Sequence, residues 1–313
     1  MVVEDEVVDG DTGAAKQNKR QRQLVGHNTD WLGIFKPMQA ALRQSSALHS
    51  ARLAATAKSP TNDSAGDALP SRSSEVVRLG IVVGAGGTAR AAAYALRSLG
   101  LRAVVVNPRT PSNAQAMAQD LNAKIEAANR PAANDHNDDS ALASVAWAES
   151  ITEASLGSAV GAGVTWAVAA VVCTLPAAAG FELPDWLLPT STNNDCSAGA
   201  AQAETRRADL SPPVAVLDVV YKPALTALVT QCVQHGLPVV PGATMLLEQG
   251  LEQLELWTRR TAPRPEVRAA LLANVLASDT VLKEGSSMSE TEALFRDLPG
   301  WKEAFSSPNP AKS

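Results

Sequence analysis

A doubly wound α/β fold on a parallel sheet is predicted for this 313-residue chain by three observations. From residue 76 onward, short apolar runs alternate with helix-like segments. Two of those runs, "VVRLGIVV" and "LRAVVV", are almost continuously apolar, as strands covered on both faces must be. Between them lies "GAGGTAR", a glycine turn that leaves a strand and opens an alanine-rich helix.

The elements follow in order. Residues 1–22 are polar, lack periodicity and are predicted to be disordered. In "GHNTDWLG" (26–33), Thr29 or Asp30 has the chemistry of a helix N-cap. From Trp31 to about Leu48 the residues Trp31, Ile34, Phe35, Met38 and Leu42 recur at helical spacing. Pro37 fits the first turn of a helix begun near Lys36, or else kinks a longer one. The stretch 55–75, "ATAKSPTNDSAGDALPSRSSE", has the composition of a flexible insertion.

Residues 76–110 then form one strand–helix–strand unit, and a helix is predicted over 113–125. Residues 127–163 are rich in Ala, Asn, Asp and Ser, and their pattern leaves strand content there open. "WAVAAVVCTLP" (166–176) reads as a third buried strand and "VAVLDVVY" (214–221) as a fourth, with a loose polar stretch at 190–213 between them. "ALTALVTQCVQHG" predicts a helix with a glycine stop, and "LPVVPG" a short fifth strand. Two helical segments, "TMLLEQGLEQLELWT" and "PEVRAALLANVLAS", precede a polar tail.

Composition narrows the function. A net charge of −5 and a pI near 5.5 argue against nucleic acid as a partner, and the basic run Lys16–Arg22 reads as a solvated tail. Cys173, Cys196 and Cys232 are far apart, so neither a disulfide framework nor a metal site is expected. No apolar run reaches the roughly 20 residues of a membrane helix, and the acidic opening is no secretion signal, so a cytoplasmic protein is expected.

"GAGGTAR" is a G-x-G-x-x-A form of the dinucleotide fingerprint. Gly84 permits the tight turn, Gly86 lets the backbone approach a pyrophosphate, and Ala89 lets helix and strand pack closely. Ala85, Gly87 and Thr88 complete the loop, whose free N–H groups and helix dipole suit phosphate. These features predict a Rossmann-type nucleotide domain. At the end of the second strand, where an NAD site carries a carboxylate, the chain has Asn107, Pro108, Arg109 and Thr110. Arg109 and Thr110 suit a 2′-phosphate, so NADP is expected as the cofactor.

In order, "NTDWLGI", "GAGGTAR", "NPRT", "VVCTLP", "LDVVYKPALT" and "PGATMLLEQGLEQLELWT" resemble the shikimate/quinate dehydrogenase family. The likeness is strongest to its fungal forms, the shikimate dehydrogenase domain ending the pentafunctional arom polypeptide and the arom-like quinate repressor. The resemblance covers about 26–46 and 76–265. It implies reversible interconversion of 3-dehydroshikimate and shikimate with NADP(H), on the route to chorismate and the aromatic amino acids. Asp30 is implied as the catalytic carboxylate of the Asn28-Thr29-Asp30 motif, with Asn28 and Thr29 beside the substrate. Tyr221 and Gln249 are implied as substrate-binding residues, and Thr174, Gly242 and Met245 as cofactor contacts. A shikimate- or quinate-type small molecule is the implied partner, and an oligomer is left open.

The family's substrate domain begins with a strand–helix series that carries its catalytic lysine, ahead of the Asn-Thr-Asp motif. Here that motif starts at residue 28, and Lys16 and Lys19 lie in the wrong register. The expected layout is therefore a tail (1–22), a truncated substrate domain (23–46), an insertion (47–75), an NADP domain (76–241), C-terminal helices (242–285) and a tail (286–313). Such a chain is expected either to be weakly active as a dehydrogenase or to serve as a non-catalytic sensor of quinate or shikimate. Pro108 inside the Asn-Arg-Thr run, and Cys173 where the family has a small polar residue, are further departures.

Overall fold

The computed structural model describes residues 2–7, 20–56, 76–128, 144–189 and 212–280. In chain order these form β1 (Val2–Val7), β2 (Arg20–Val25), α1 (Asp30–Thr56), β3 (Val77–Val83), α2 (Gly87–Ser98), β4 (Arg102–Val106), α3 (Pro111–Ala128) and β5 (Ala146–Ala148). There follow α4 (Glu153–Val160), β6 (Trp166–Cys173), β7 (Ala215–Asp218), α5 (Ala227–Gln234), β8 (Val239–Val240), α6 (Gly242–Thr258) and α7 (Arg264–Thr280). Short 3-10 turns stand at Ala177–Ala179 and Asp185–Leu187. None of the helices among the described residues is long and apolar enough to cross a membrane.

Six strands make the parallel sheet, in the order β5-β4-β3-β6-β7-β8. The chain winds outward from β3 in one direction, then returns to lay β6 on its other side, so strand order reverses between β3 and β6. That is the doubly wound topology predicted. Its register sets Val106 beside Val83, Val83 beside Cys173, and Cys173 beside Asp218. The residues that follow these four strands therefore leave the sheet at one level along its carboxyl edge.

Each face carries a layer. On one, Val82, Val105, Val172 and Leu217 pack under α1, α2 and α3 through Ile34, Met38, Ala92, Leu96 and Met117. On the other, Ile81, Val104, Val171 and Val216 pack under α4 and α5 through Leu156, Val160, Leu228 and Val229. Burying one such aliphatic side chain is worth about 1.5–3 kcal/mol. The alanines of α2 keep it close to the sheet: a Cβ on Gly80 of β3 would come 3.0 Å from Leu96. A smaller cluster of Leu247, Leu251, Leu272 and Val275 joins α6 to α7.

Two expectations need correction, and two open readings are resolved. Residues 2–7 and 20–25, in text predicted to be disordered, pair as an antiparallel ribbon. Of the two readings of Pro37 the longer helix holds: α1 starts at Asp30 and Pro37 sits inside it. That helix also runs past Leu48 to Thr56, into the predicted insertion. The 127–163 stretch, open in the sequence, contains an edge strand, β5, and α4. Residues 57–75 and 129–143, which fall in the predicted insertions, and Cys196 lie outside the described residues.

Candidate active site

Val83 ends β3 and Gly84 turns the chain at φ +118°, a region open mainly to glycine. The fit there is also tight, since a Cβ on Gly84 would overlap Thr174 Oγ1. Thr174 is fixed in place, donating its hydroxyl to Val83 O (2.9 Å) and its amide to the same oxygen (2.8 Å). Gly84 N in turn donates to Val106 O (2.8 Å). The loop thus straddles the point where strand order reverses, the place at which doubly wound sheets bind ligands.

The next two glycines face open space. A Cβ on Gly86 or Gly87 would meet nothing within 4 Å, and both are exposed. Gly86 is the N-cap of α2 and supplies no side-chain bond, so the first N–H groups of this helix keep the partial positive charge of its terminus. An exposed cradle of uncapped amides with room above it fits a pyrophosphate. Ala89 is fully buried and closes α2 onto the sheet, while Ala85 and Thr88 are half-buried at the rim.

Beyond β4, Asn107 through Thr110 form a turn closed by Thr110 N donating to Asn107 O (3.1 Å). Arg109 is exposed, with no ion pair among the described residues. Tyr221, just past β7, is 45% exposed. Gly242 opens α6 against that same exit: a Cβ there would stand 2.5 Å from Val219 O. Met245 is buried one turn further along.

Asp30 is brought to this edge by α1. Gly33, three residues on, lets α1 cross α6 closely: a Cβ there would lie 2.7 Å from Met245 O and 3.1 Å from Gln249 Cβ. Trp31 meets Tyr94 of α2 edge-on at 5.1 Å. Farther along, the Ser45 hydroxyl donates to Pro213 O, before the start of β7. The helix therefore runs back across the sheet face, with Asp30 at the carboxyl end. Lys36 pairs with Glu252, and Arg264 reaches Glu248 at 3.3 Å, locking α1, α6 and α7 together.

Asn28 caps the start of α1, its Oδ1 accepting from Asp30 N (2.8 Å). Thr29, expected beside substrate, is 6% exposed and accepts from Gln253 Nε2 (3.1 Å), which turns it toward the α1–α6 joint. The Asp30 carboxylate, half-exposed, has no hydrogen-bond or ion-pair partner among the described residues. Gln249 presents a buried Oε1 that also lacks one. Neither Lys16 nor Lys19 lies among the described residues.

Pattern reading passed over Asp218. It ends β7 buried, and burial pushes its carboxyl above the ordinary carboxylate range, against the lowering effect of the Thr226 hydroxyl and the Val220 amide. Burial also pushes the Cys173 and Cys232 thiols up to about 12, with Asp218 adding to both shifts. A carboxylate at a strand end, eight residues before a helix-capping threonine, was the available signal.

Residues 242–272, spanning α6 and the first half of α7, match the model of the shikimate 5'-dehydrogenase C-terminal domain. The pentafunctional AROM polypeptide of Schizosaccharomyces japonicus is 27% identical over 247 residues, which is 78% of this chain and 12% of that protein. The chain thus spans about one-eighth of the curated relative's length. Among solved structures, the dehydroquinate dehydratase and shikimate dehydrogenase of S. pombe AroM is 24% identical, at a TM-score of 0.43, over 78% of this chain and 34% of that one. The quinate dehydrogenase of Corynebacterium glutamicum in complex with NAD is 21% identical, at a TM-score of 0.45, over 79% of this chain and 63% of that one. The matched C-terminal helices and the 247-residue alignment make the chain similar to the shikimate 5'-dehydrogenase C-terminal domain and to part of the AROM polypeptide.

Proposed function

We propose that this chain binds NADP(H) along the carboxyl edge of its sheet and interconverts shikimate and 3-dehydroshikimate, or retains the site of an enzyme that does. One observation carries the reading: the uncapped glycine cradle, the Arg109 turn, Thr174 and the Gly242 helix start all leave one edge, and α1 delivers Asp30 to it. The nicotinamide, when bound, supplies the hydride acceptor for the carbinol carbon.

The chain's own groups do the rest. The N–H groups at Gly86 and Gly87 hold the pyrophosphate, and Arg109 with Thr110 takes the 2′-phosphate, since no carboxylate stands on that turn to repel it. Gly242 keeps the α6 terminus close to the β7 exit, and Met245 and Thr174 wall the nicotinamide side. Asp30 accepts a hydrogen bond from the carbinol hydroxyl, orients it and receives its proton as hydride leaves. Gln249 and Asn28 bind neighbouring hydroxyls; the unpartnered Gln249 oxygen is suited to a hydroxyl donor. Thr29 acts one step back, by fixing the turn.

A second reading, a sensor of quinate or shikimate without turnover, is favoured by Lys36. Six residues from Asp30, it is committed to Glu252 and does not serve as a proton partner. The two readings part in one assay: NADP⁺ reduction by shikimate, followed at the nicotinamide absorbance, beside calorimetric binding of shikimate and quinate. Turnover that falls by about 10²–10⁴ in Asp30→Asn supports the enzyme. Binding without turnover supports the sensor, and neither in a folded chain refutes both. Arg109→Ala should cut the preference for NADP over NAD by about 10–100-fold, the worth of a charged hydrogen bond.

A further inference from the structure

The segment that leaves β7 is held at both ends by one buried side chain. Asp218, 3% exposed, accepts from Val220 N (3.1 Å) through Oδ1 and from Thr226 Oγ1 (2.6 Å) through Oδ2. Thr226, itself buried, caps α5 by accepting from Val229 N (3.2 Å). Val219 N donates to Cys173 O (3.0 Å), and Gly242 presses on Val219 and Val220 from the far side. The loop 219–226 is therefore pinned from within the sheet, from α5 and from α6.

A carboxylate buried among apolar side chains is costly, and hydrophobic packing would serve stability better. Burial has in fact raised this carboxyl's pKa, and its neighbours Cys173 and Cys232 are thiols held neutral. Both hydrogen bonds that Asp218 makes run to this one loop, so what it contributes is the loop's shape. In a doubly wound sheet the adenosine half of a dinucleotide lies over the first three strands and the other half over the last three. The β7 exit, with Tyr221 on it, faces that second half.

We propose that Asp218 is a positioning residue, which with Thr226 clamps the 219–226 loop into the shape that receives the nicotinamide half of the cofactor. The proposal rests on the dinucleotide reading above and adds to it a division of labour: Asp218 acts on one half of the ligand only.

The test compares the binding of NADPH with that of 2′,5′-ADP, which carries the adenosine half alone, by calorimetric titration of the full chain. Asp218→Ala should weaken NADPH about tenfold, the loss of roughly one hydrogen bond, and leave 2′,5′-ADP unchanged. Asp218→Asn, which can still accept from Val220 N and donate to Thr226 Oγ1, should restore NADPH binding. Thr226→Val, which removes the bond to Asp218 together with the cap on Val229 N, should weaken NADPH in the same direction and serves if Asp218→Ala fails to fold. Equal loss for both ligands, no loss for either, or no rescue by asparagine would overturn the clamp. A folded wild-type chain that binds neither ligand would instead overturn the dinucleotide reading itself.

Discussion

Gly84→Ala should destabilise the fold by about 2–6 kcal/mol, and the structure divides that cost in two. The residue stands at φ +118°, where an L side chain stores roughly 1–3 kcal/mol of strain. The new Cβ would also overlap Thr174 Oγ1, and relieving such overpacking costs about 1–3 kcal/mol more. Turning the hydroxyl away does not help, because it gives up the bond to Val83 O. Thr174→Ala alone loses that bond, at about 1 kcal/mol. In Gly84→Ala/Thr174→Ala the overlap is gone and only backbone strain and the lost bond remain. The double variant should therefore be less destabilised than the sum of the two singles by about 1–3 kcal/mol. Urea unfolding followed by circular dichroism measures all four chains. Additivity to within about 0.5 kcal/mol would show that Thr174 is no obstacle, and the account of this turn would fail.

Two further perturbations test the packing and the buried charge. Gly33→Ala should push α1 from α6, because the obstructing atom is the Met245 carbonyl, and cost about 1–3 kcal/mol in urea unfolding; a neutral result would deny the close crossing that delivers Asp30. The folded-state pKa of Asp218 lies above its unfolded value, so its contribution to stability is full below the unfolded pKa and lost as pH rises through the folded one. Asp218→Asn does not titrate, so its stability relative to wild type should rise across that window and level off above it. A pH-independent difference would mean the carboxyl is not shifted.

Much of the fold was legible because several strands are buried on both faces. "GIVV", "AVVV" and "AAVVC" need no tertiary information to be read as central strands, and the glycine loop between the first two identifies the turn. The failures have physical reasons. Ala146–Ala148 is three residues long and becomes a strand only through its pairing with β4, which no local pattern encodes. The serines around the predicted helix end at Leu48 do not stop the helix because they are satisfied within or against it: Ser46 and Ser50 donate to the carbonyls four residues back, and Ser45 to Pro213 O. Pro37 left two readings open in the sequence, a helix start or a longer helix, and it lies buried inside α1.

The site was legible in its backbone parts and less so in its side chains. Gly84 announces itself because its close approach to Thr174 and its positive φ require glycine there, and Gly242, implied by the resemblance, stands where the Val219 and Val220 carbonyls leave no room for a Cβ. Thr29 is different: nothing local tells whether a hydroxyl beside an aspartate points at a ligand or, as here, toward Gln253 more than 200 residues away. Asp218 was missed for the same reason, since its partners fix a loop whose shape appears only in three dimensions.

The central claim is that the open cradle at the start of α2 receives the cofactor's phosphates. The most direct measurement is a calorimetric titration with NADPH of the wild-type chain and of Gly86→Val. Gly86 lies at φ −89° with nothing within 4 Å of its would-be Cβ, so valine should leave the melting temperature unchanged while filling the space above the amides. Binding by the wild type and its loss in an equally stable variant are the predicted results. A wild type that does not bind NADPH, or a variant that binds it as well, would contradict the account.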